Sequence, residues 1–137
     1  MELPLITIGI TSYNHAPYIE YALDSVLKED YPNKDIVIID DGSTDNSVEI
    51  IQNWIEKNKS LIPVRFISRP NKGLAFTLNE LLKNIHNNYV ALLASDDAFY
   101  NNGLSKRMEL MQQTKKLLVV GDCSVINHNG VITHHSW

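Results

Sequence analysis

Cysteine is almost absent from this sequence. Cys123 stands alone among 137 residues, so no internal disulfide framework can form, and a cytoplasmic setting is expected. Long apolar runs are missing too. YVALLA (89–94) and LLVV (117–120) are strand-sized, far short of the ~20 residues of a membrane helix. The opening MELPLITIGIT has no basic leader and no apolar core of signal-peptide length. The chain is therefore expected to be soluble, with any tie to a membrane's cytoplasmic face made by other segments or partners. A basic excess is also lacking. Twelve Lys and Arg stand against 16 Asp and Glu, for a formal charge of −4, which argues against a nucleic-acid backbone as partner. Gly9 stands alone inside the first apolar run, so the glycine-rich phosphate loop of a nucleotidyltransferase is missing.

What remains alternates short apolar runs with amphipathic ones. Leu5–Ile10, Ile36–Asp40, Val64–Ser68 and Tyr89–Ala94 read as buried strands, and Leu117–Val120 as a further one. Between them, apolar residues recur at helical spacing. Pro17 suits a first helical turn, and Ile19, Ala22, Leu23, Val26 and Leu27 make the first stripe. Val48, Ile51, Trp54 and Ile55 make the second, with Ser43 or Thr44 as its cap. Leu74, Leu78, Leu81, Leu82 and Ile85 make the third, and Leu104, Met108 and Met111 a weaker fourth. A hairpin is expected across Asn129–Gly130. This alternation predicts an α/β domain with a mostly parallel sheet flanked by helices, ending in a β-hairpin. A chain of this length suits one compact domain.

In open α/β sheets, ligands bind at the carboxyl ends of the strands. The first strand delivers Thr11, Ser12, Tyr13 and Asn14 there, the second Asp40 and Asp41. Arg69 and the turn Asn71–Gly73 follow the third strand; Ser95, Asp96 and Asp97 follow the fourth. Adjacent carboxylates repel, and burial raises their pKa, so something outside the chain is expected to compensate Asp40 and Asp41. A carboxylate pair beside a nucleotide diphosphate can hold Mg²⁺ or Mn²⁺, which take one or two protein carboxylates, water and phosphate oxygens. The ion then stabilises charge on a departing diphosphate. A second acidic group can hydrogen-bond base or ribose donors, and Tyr13 can stack on a base.

Three stretches carry a family resemblance. ITIGITSYNHAPYIEYALDSVLKEDYPNKDIVIIDDGSTDNSVEII, NKGLAFTLNELL and YVALLASDDAF together resemble the family 2 glycosyltransferases, with their Rossmann-like GT-A fold, over about residues 4–130. The resemblance implies that Thr11, Tyr13 and Asp41 surround the base of a nucleotide-sugar, UDP-sugar by default, with Asp40 beside them as a support. It implies that Asp96 and Asp97 face the ribose and a divalent ion, Mn²⁺ or Mg²⁺, with Asp97 the preferred ligand. Gly73 would let the backbone approach the donor, and Asn79 would buttress that segment.

The chain departs from the family pattern at two motif positions. Ala94 stands where an aspartate often opens the metal motif, and Thr77-Leu78-Asn79 replaces Ala-Arg-Asn. Family members invert the anomeric carbon with a carboxylate base on the acceptor side. After Asp97 only Glu109 and Asp122 are acidic, and neither matches that base. Residues 1–137 are therefore expected to be the donor-binding portion, with the acceptor side and the base elsewhere and self-association through the edge this leaves. The alternative is a non-catalytic nucleotide-sugar-binding domain. A receiver-type signalling domain needs acids after the first strand, an Asp after the third and a Lys after the fifth, and finds none of them here. Read singly, Arg69 and Lys72 are solvated loop charges, and His15, His86, His128, His134 and His135 lack a zinc set.

Overall fold

The structure is a computed structural model that describes residues 3–100 and 102–135. The chain divides into two compact units, Met1–Asn101 and Asn102–Trp137. The first runs β1 (Ile6–Ser12), α1 (Ile19–Lys28), β2 (Lys34–Asp40), α2 (Ser47–Asn58), β3 (Val64–Ser68), α3 (Leu74–Lys83) and β4 (Tyr89–Ala94). Its four strands form one parallel sheet in the order β3-β2-β1-β4.

The order reverses at β1. The chain first steps outward through β2 to β3, then crosses back to the far side of β1. Right-handed crossovers therefore put α1 and α2 on one face and α3 on the other. The same reversal opens a crevice between the carboxyl ends of β1 and β4, the place where such sheets bind ligands.

With both faces covered, the central strands can be apolar throughout. Ile6, Ile8, Ile10, Ile36, Ile38 and Ile39 are all buried. Each such side chain contributes about 1.5–3 kcal/mol relative to exposure. Leu81 of α3 packs with Val37 and Ile39 of β2. Gly9 permits that approach: a Cβ there would lie 2.7 Å from a Leu81 methyl. The stripe expected on α3 is narrower than its leucines suggest. Leu74 and Leu82 are 63% and 48% exposed, as is more than half of Leu92 on β4. The helix contacts β1 and β2, and that narrow seat leaves its flanks uncovered.

The second unit holds α4 (Gly103–Thr114) and a hairpin of β5 (Ser124–Ile126) and β6 (Ile132–His135). The Asn127 carboxamide oxygen closes the hairpin turn, accepting the backbone N–H groups of Asn129 and Val131. Gly130 supplies a positive φ of 75°. Leu117–Val120, expected as a strand, is irregular, and Leu117 is fully exposed. β-branched composition makes a strand only where a neighbour completes the ladder, and no strand pairs with this run among the described residues.

Candidate functional site

Strand register brings the sequence-predicted residues to one edge. Ser12 stands opposite Asp40, Asp40 opposite Ser68, and Thr11 opposite Ala94. The loops after β1, β2, β3 and β4 therefore leave the sheet nearly level. The pairing continues one step further, with the Asp41 N–H donating to the Ser12 carbonyl at 2.8 Å.

The first two loops are interlocked. Asn14 takes a φ of 54°, a conformation asparagine tolerates better than most residues. Its side-chain oxygen accepts the Thr44 N–H at 2.7 Å, and its own N–H donates to Ser43 Oγ at 2.8 Å. Asp45 returns the tie, accepting the Ala16 and Ser47 N–H groups. Burial opposes the charge on Asp45, but the Ser47 and Ala16 bonds outweigh it and hold the carboxyl below its usual value. Ser43 and Thr44 thus serve these loops rather than capping α2, whose N-cap is Asn46. The result leaves Tyr13 presented, 47% exposed, beside a half-buried Thr11.

The paired acids of the second loop find their partners inside the chain, contrary to the expectation of an outside compensator. Asp40 is fully buried. Its two oxygens accept the Ser43 N–H at 2.9 Å and the Ser43 hydroxyl at 2.5 Å. Asp40 thus ties down the start of the second loop and has no exposed atom at this edge. Asp41 is 5% exposed. One of its oxygens accepts the Lys72 N–H at 2.8 Å and a guanidinium N–H of Arg69; the other accepts the Gly73 N–H at 3.0 Å. Desolvation would raise this carboxyl, but the Lys72 N–H, the Arg69 guanidinium and Thr77 together hold it below the ordinary range.

Arg69 is consequently no solvated loop charge. Its side chain is 11% exposed. It donates to Glu80 and to the Thr77 hydroxyl, both at 2.8 Å, besides Asp41. Its guanidinium and the Lys72 ammonium lie 5.3 and 4.6 Å from the Phe76 ring centre. Sequence reasoning missed this cluster, although Thr77 and Glu80 sit one helical turn apart, the spacing that lets two side chains share a partner. Asn79 lies on the exposed face of α3, opposite the buried Thr77 and Leu81, and does not join the cluster. Gly73 has a φ of +85°, and nothing lies within 4 Å of where its Cβ would stand.

Asp96 and Asp97 end β4 in a tight turn, with the Asp97 N–H donating to the Ala94 carbonyl at 3.1 Å. Both are exposed, while Ser95 before them is buried. Desolvation and the Asp96 charge push the Asp97 carboxyl up, with His15 acting in the opposite sense. Among the described residues, no group of three or more His, Cys, Asp or Glu side chains converges as a metal cage. Two exposed, mutually repelling carboxylates nonetheless fit a hard divalent ion that takes its other ligands from phosphate and water. His15, isolated in sequence, also stands here: its Nδ1 is 2.7 Å from Ser95 Oγ and 3.9 Å from an Asp96 oxygen.

The site can be set beside known proteins. The family model for Glycosyl transferase family 2 matches residues 7–137. An uncharacterized glycosyltransferase of Haemophilus influenzae is 35% identical over 130 residues, 95% of this chain. The chain spans 51% of that protein's own length. Among solved structures, the mannosyltransferase PcManGT of Pyrobaculum calidifontis, in complex with GDP-Man and Mn²⁺, superposes with a TM-score of 0.73 at 26% identity. That match covers 79% of this chain and 32% of the other. TarS of S. aureus in complex with UDP-GlcNAc superposes with a TM-score of 0.71 at 25% identity, covering 79% and 31%.

Proposed function

The chain belongs to glycosyl transferase family 2, and from that premise we propose that it forms the donor side of an inverting, metal-dependent glycosyltransferase. The observation that carries this reading is the pair of loops flanking the reversal of strand order. One presents an exposed Tyr13, the other two exposed carboxylates whose mutual repulsion still raises Asp97 although His15 acts against it. A nucleotide-diphospho-sugar supplies what each lacks, a flat base for the ring and a phosphate-bound cation for the acids.

In this reading Tyr13 stacks on the base and Thr11 lies beside it. Asp41 acts through its scaffold: it holds the Arg69 guanidinium and the backbone of Lys72 and Gly73, so the third loop is preset. The open space at Gly73 lets the donor approach the main chain. Asp97 and Asp96 hold Mn²⁺ or Mg²⁺. When bound, that ion neutralises charge on the departing nucleoside diphosphate. Inversion also needs a base on the acceptor side, a role we assign to no residue of this chain. UDP is the default nucleotide. The GDP-Man and UDP-GlcNAc complexes of PcManGT and TarS make GDP the competitor to test.

Calorimetry with UDP and with GDP, each with and without Mn²⁺, tests the proposal. Binding of one nucleotide that strengthens with Mn²⁺ is expected. A folded protein that binds neither at millimolar concentration overturns it.

A further inference from the structure

We propose that His15 is the positioning residue that sets the Asp96–Asp97 pair against the nucleoside-facing loops. This rests on the donor-site reading and adds to it a residue that no family motif assigned. His15 is the point where three elements meet. Its N–H donates to Ser47 Oγ, at the start of α2, at 3.0 Å. Its carbonyl accepts the N–H groups of Tyr18 and Ile19, at the start of α1, at 2.9 and 3.0 Å. Both backbone groups are thus committed, and the ring packs edge-on against Tyr18 with centroids 6.2 Å apart.

From that fixed base the side chain spans the crevice between β1 and β4. Its Nδ1 reaches Ser95 Oγ at 2.7 Å across 80 residues of sequence. Ser95 is 1% exposed, so its hydroxyl is shielded from water and depends on protein partners. It also immediately precedes the two acids. A turn displaced by even an ångström moves both carboxylates relative to a nucleotide whose base is held at the first loop. Groups that hydrogen-bond around a metal site typically alter metal affinity 10–100-fold. The imidazole therefore couples the two halves of the site without touching the donor.

The test uses His15→Ala, His15→Asn, His15→Gln and Ser95→Ala in the full chain. Asparagine keeps a polar atom near the Nδ1 position, and glutamine keeps one near Nε2. Two quantities are measured: binding of the nucleotide without metal, and Mn²⁺ affinity in its presence by electron paramagnetic resonance. The expected result is a drop of about tenfold or more in Mn²⁺ affinity for His15→Ala and Ser95→Ala, with metal-free nucleotide binding within about twofold. His15→Asn restores the Mn²⁺ affinity and His15→Gln does not. The His15→Ala/Ser95→Ala double variant is no worse than His15→Ala alone, because that substitution already removes the interaction with Ser95. Unchanged Mn²⁺ affinity in His15→Ala overturns this inference alone. So does an asparagine variant as impaired as the alanine one. An unsubstituted chain with no metal-dependent nucleotide binding overturns the donor-site reading, and this inference with it.

Discussion

Asp97 and Asp41 are both aspartates at a strand mouth, and their surroundings push them in opposite directions. Asp97 is raised, first by desolvation and then by the Asp96 charge. The folded chain therefore disfavours its ionised form, and a neutral isostere removes the conflict. Asp97→Asn should raise the melting temperature slightly in metal-free buffer, as scanning fluorimetry would show, and should abolish any rise caused by Mn²⁺. A fall in the metal-free melting temperature would show that the fold needs this carboxylate. Asp41 is lowered, because its hydrogen bonds outweigh its burial, and here the pair itself is structural. Arg69→Ala leaves the buried Asp41 charge without its guanidinium and strands Glu80 as well. Breaking a buried pair from one side costs about 3–5 kcal/mol, which urea unfolding would measure. Arg69→Lys should recover only part of this, because one ammonium cannot reproduce the planar fork that reaches Asp41, Glu80 and Thr77.

Between the elements, two glycines separate geometry from space. Gly42 has a φ of +77°, and a Cβ there would lie 2.6 Å from the Asn71 backbone nitrogen. Gly73 has a φ of +85° with open space around it. Gly42→Ala should therefore cost the backbone strain of roughly 1–3 kcal/mol and displace the third loop besides. Gly73, at φ 85° and ψ 157°, lies in a region nearly confined to glycine, so Gly73→Ala should cost that strain alone, roughly 1–3 kcal/mol, and show its larger effect on nucleotide affinity. Equal losses of stability in the two variants would contradict this account. The elements themselves were largely written in the sequence. Val64–Ser68 and Tyr89–Ala94 are strands with the bounds their β-branched and apolar runs predict. The apolar runs announced a sheet buried along β1 and β2, although Val90 and Leu92 of β4 remain exposed, and their polar ends announced the positions of Tyr13 and the four aspartates. What composition could not show was pairing at a distance. Asp41 and Arg69 lie 28 residues apart, His15 and Ser95 80 apart, and neither partner looks unusual alone. The same limit explains Leu117–Val120, whose residues favour a strand while only a neighbour could make one.

For the molecule as a whole, the carboxylates give stability an unusual dependence on pH. Asp41 and Asp45 are held below the ordinary value of 3.8. Their ionised forms are favoured in the folded chain, so their contribution is complete above that value. It is lost as pH falls through their depressed folded values. Asp97 is held above 3.8, so its sign is reversed. Its contribution is complete below 3.8, and a penalty develops as pH rises through its raised value. Acidification from neutrality should therefore first relieve Asp97, leaving the metal-free protein as stable or slightly more so. Only below about pH 4, where unpaired carboxylates protonate, should the loss of Asp41 and Asp45 drive unfolding. On the donor-site reading, Mn²⁺ should reverse the first phase. It requires the ionised acids, so the stabilisation it adds should shrink over the interval in which the metal-free protein gains. Melting temperatures from pH 7 to 3, with and without Mn²⁺, would show two curves that converge before both fall. Asp97→Asn should remove the convergence and keep the fall. Curves that stay parallel throughout would place the ion away from Asp97.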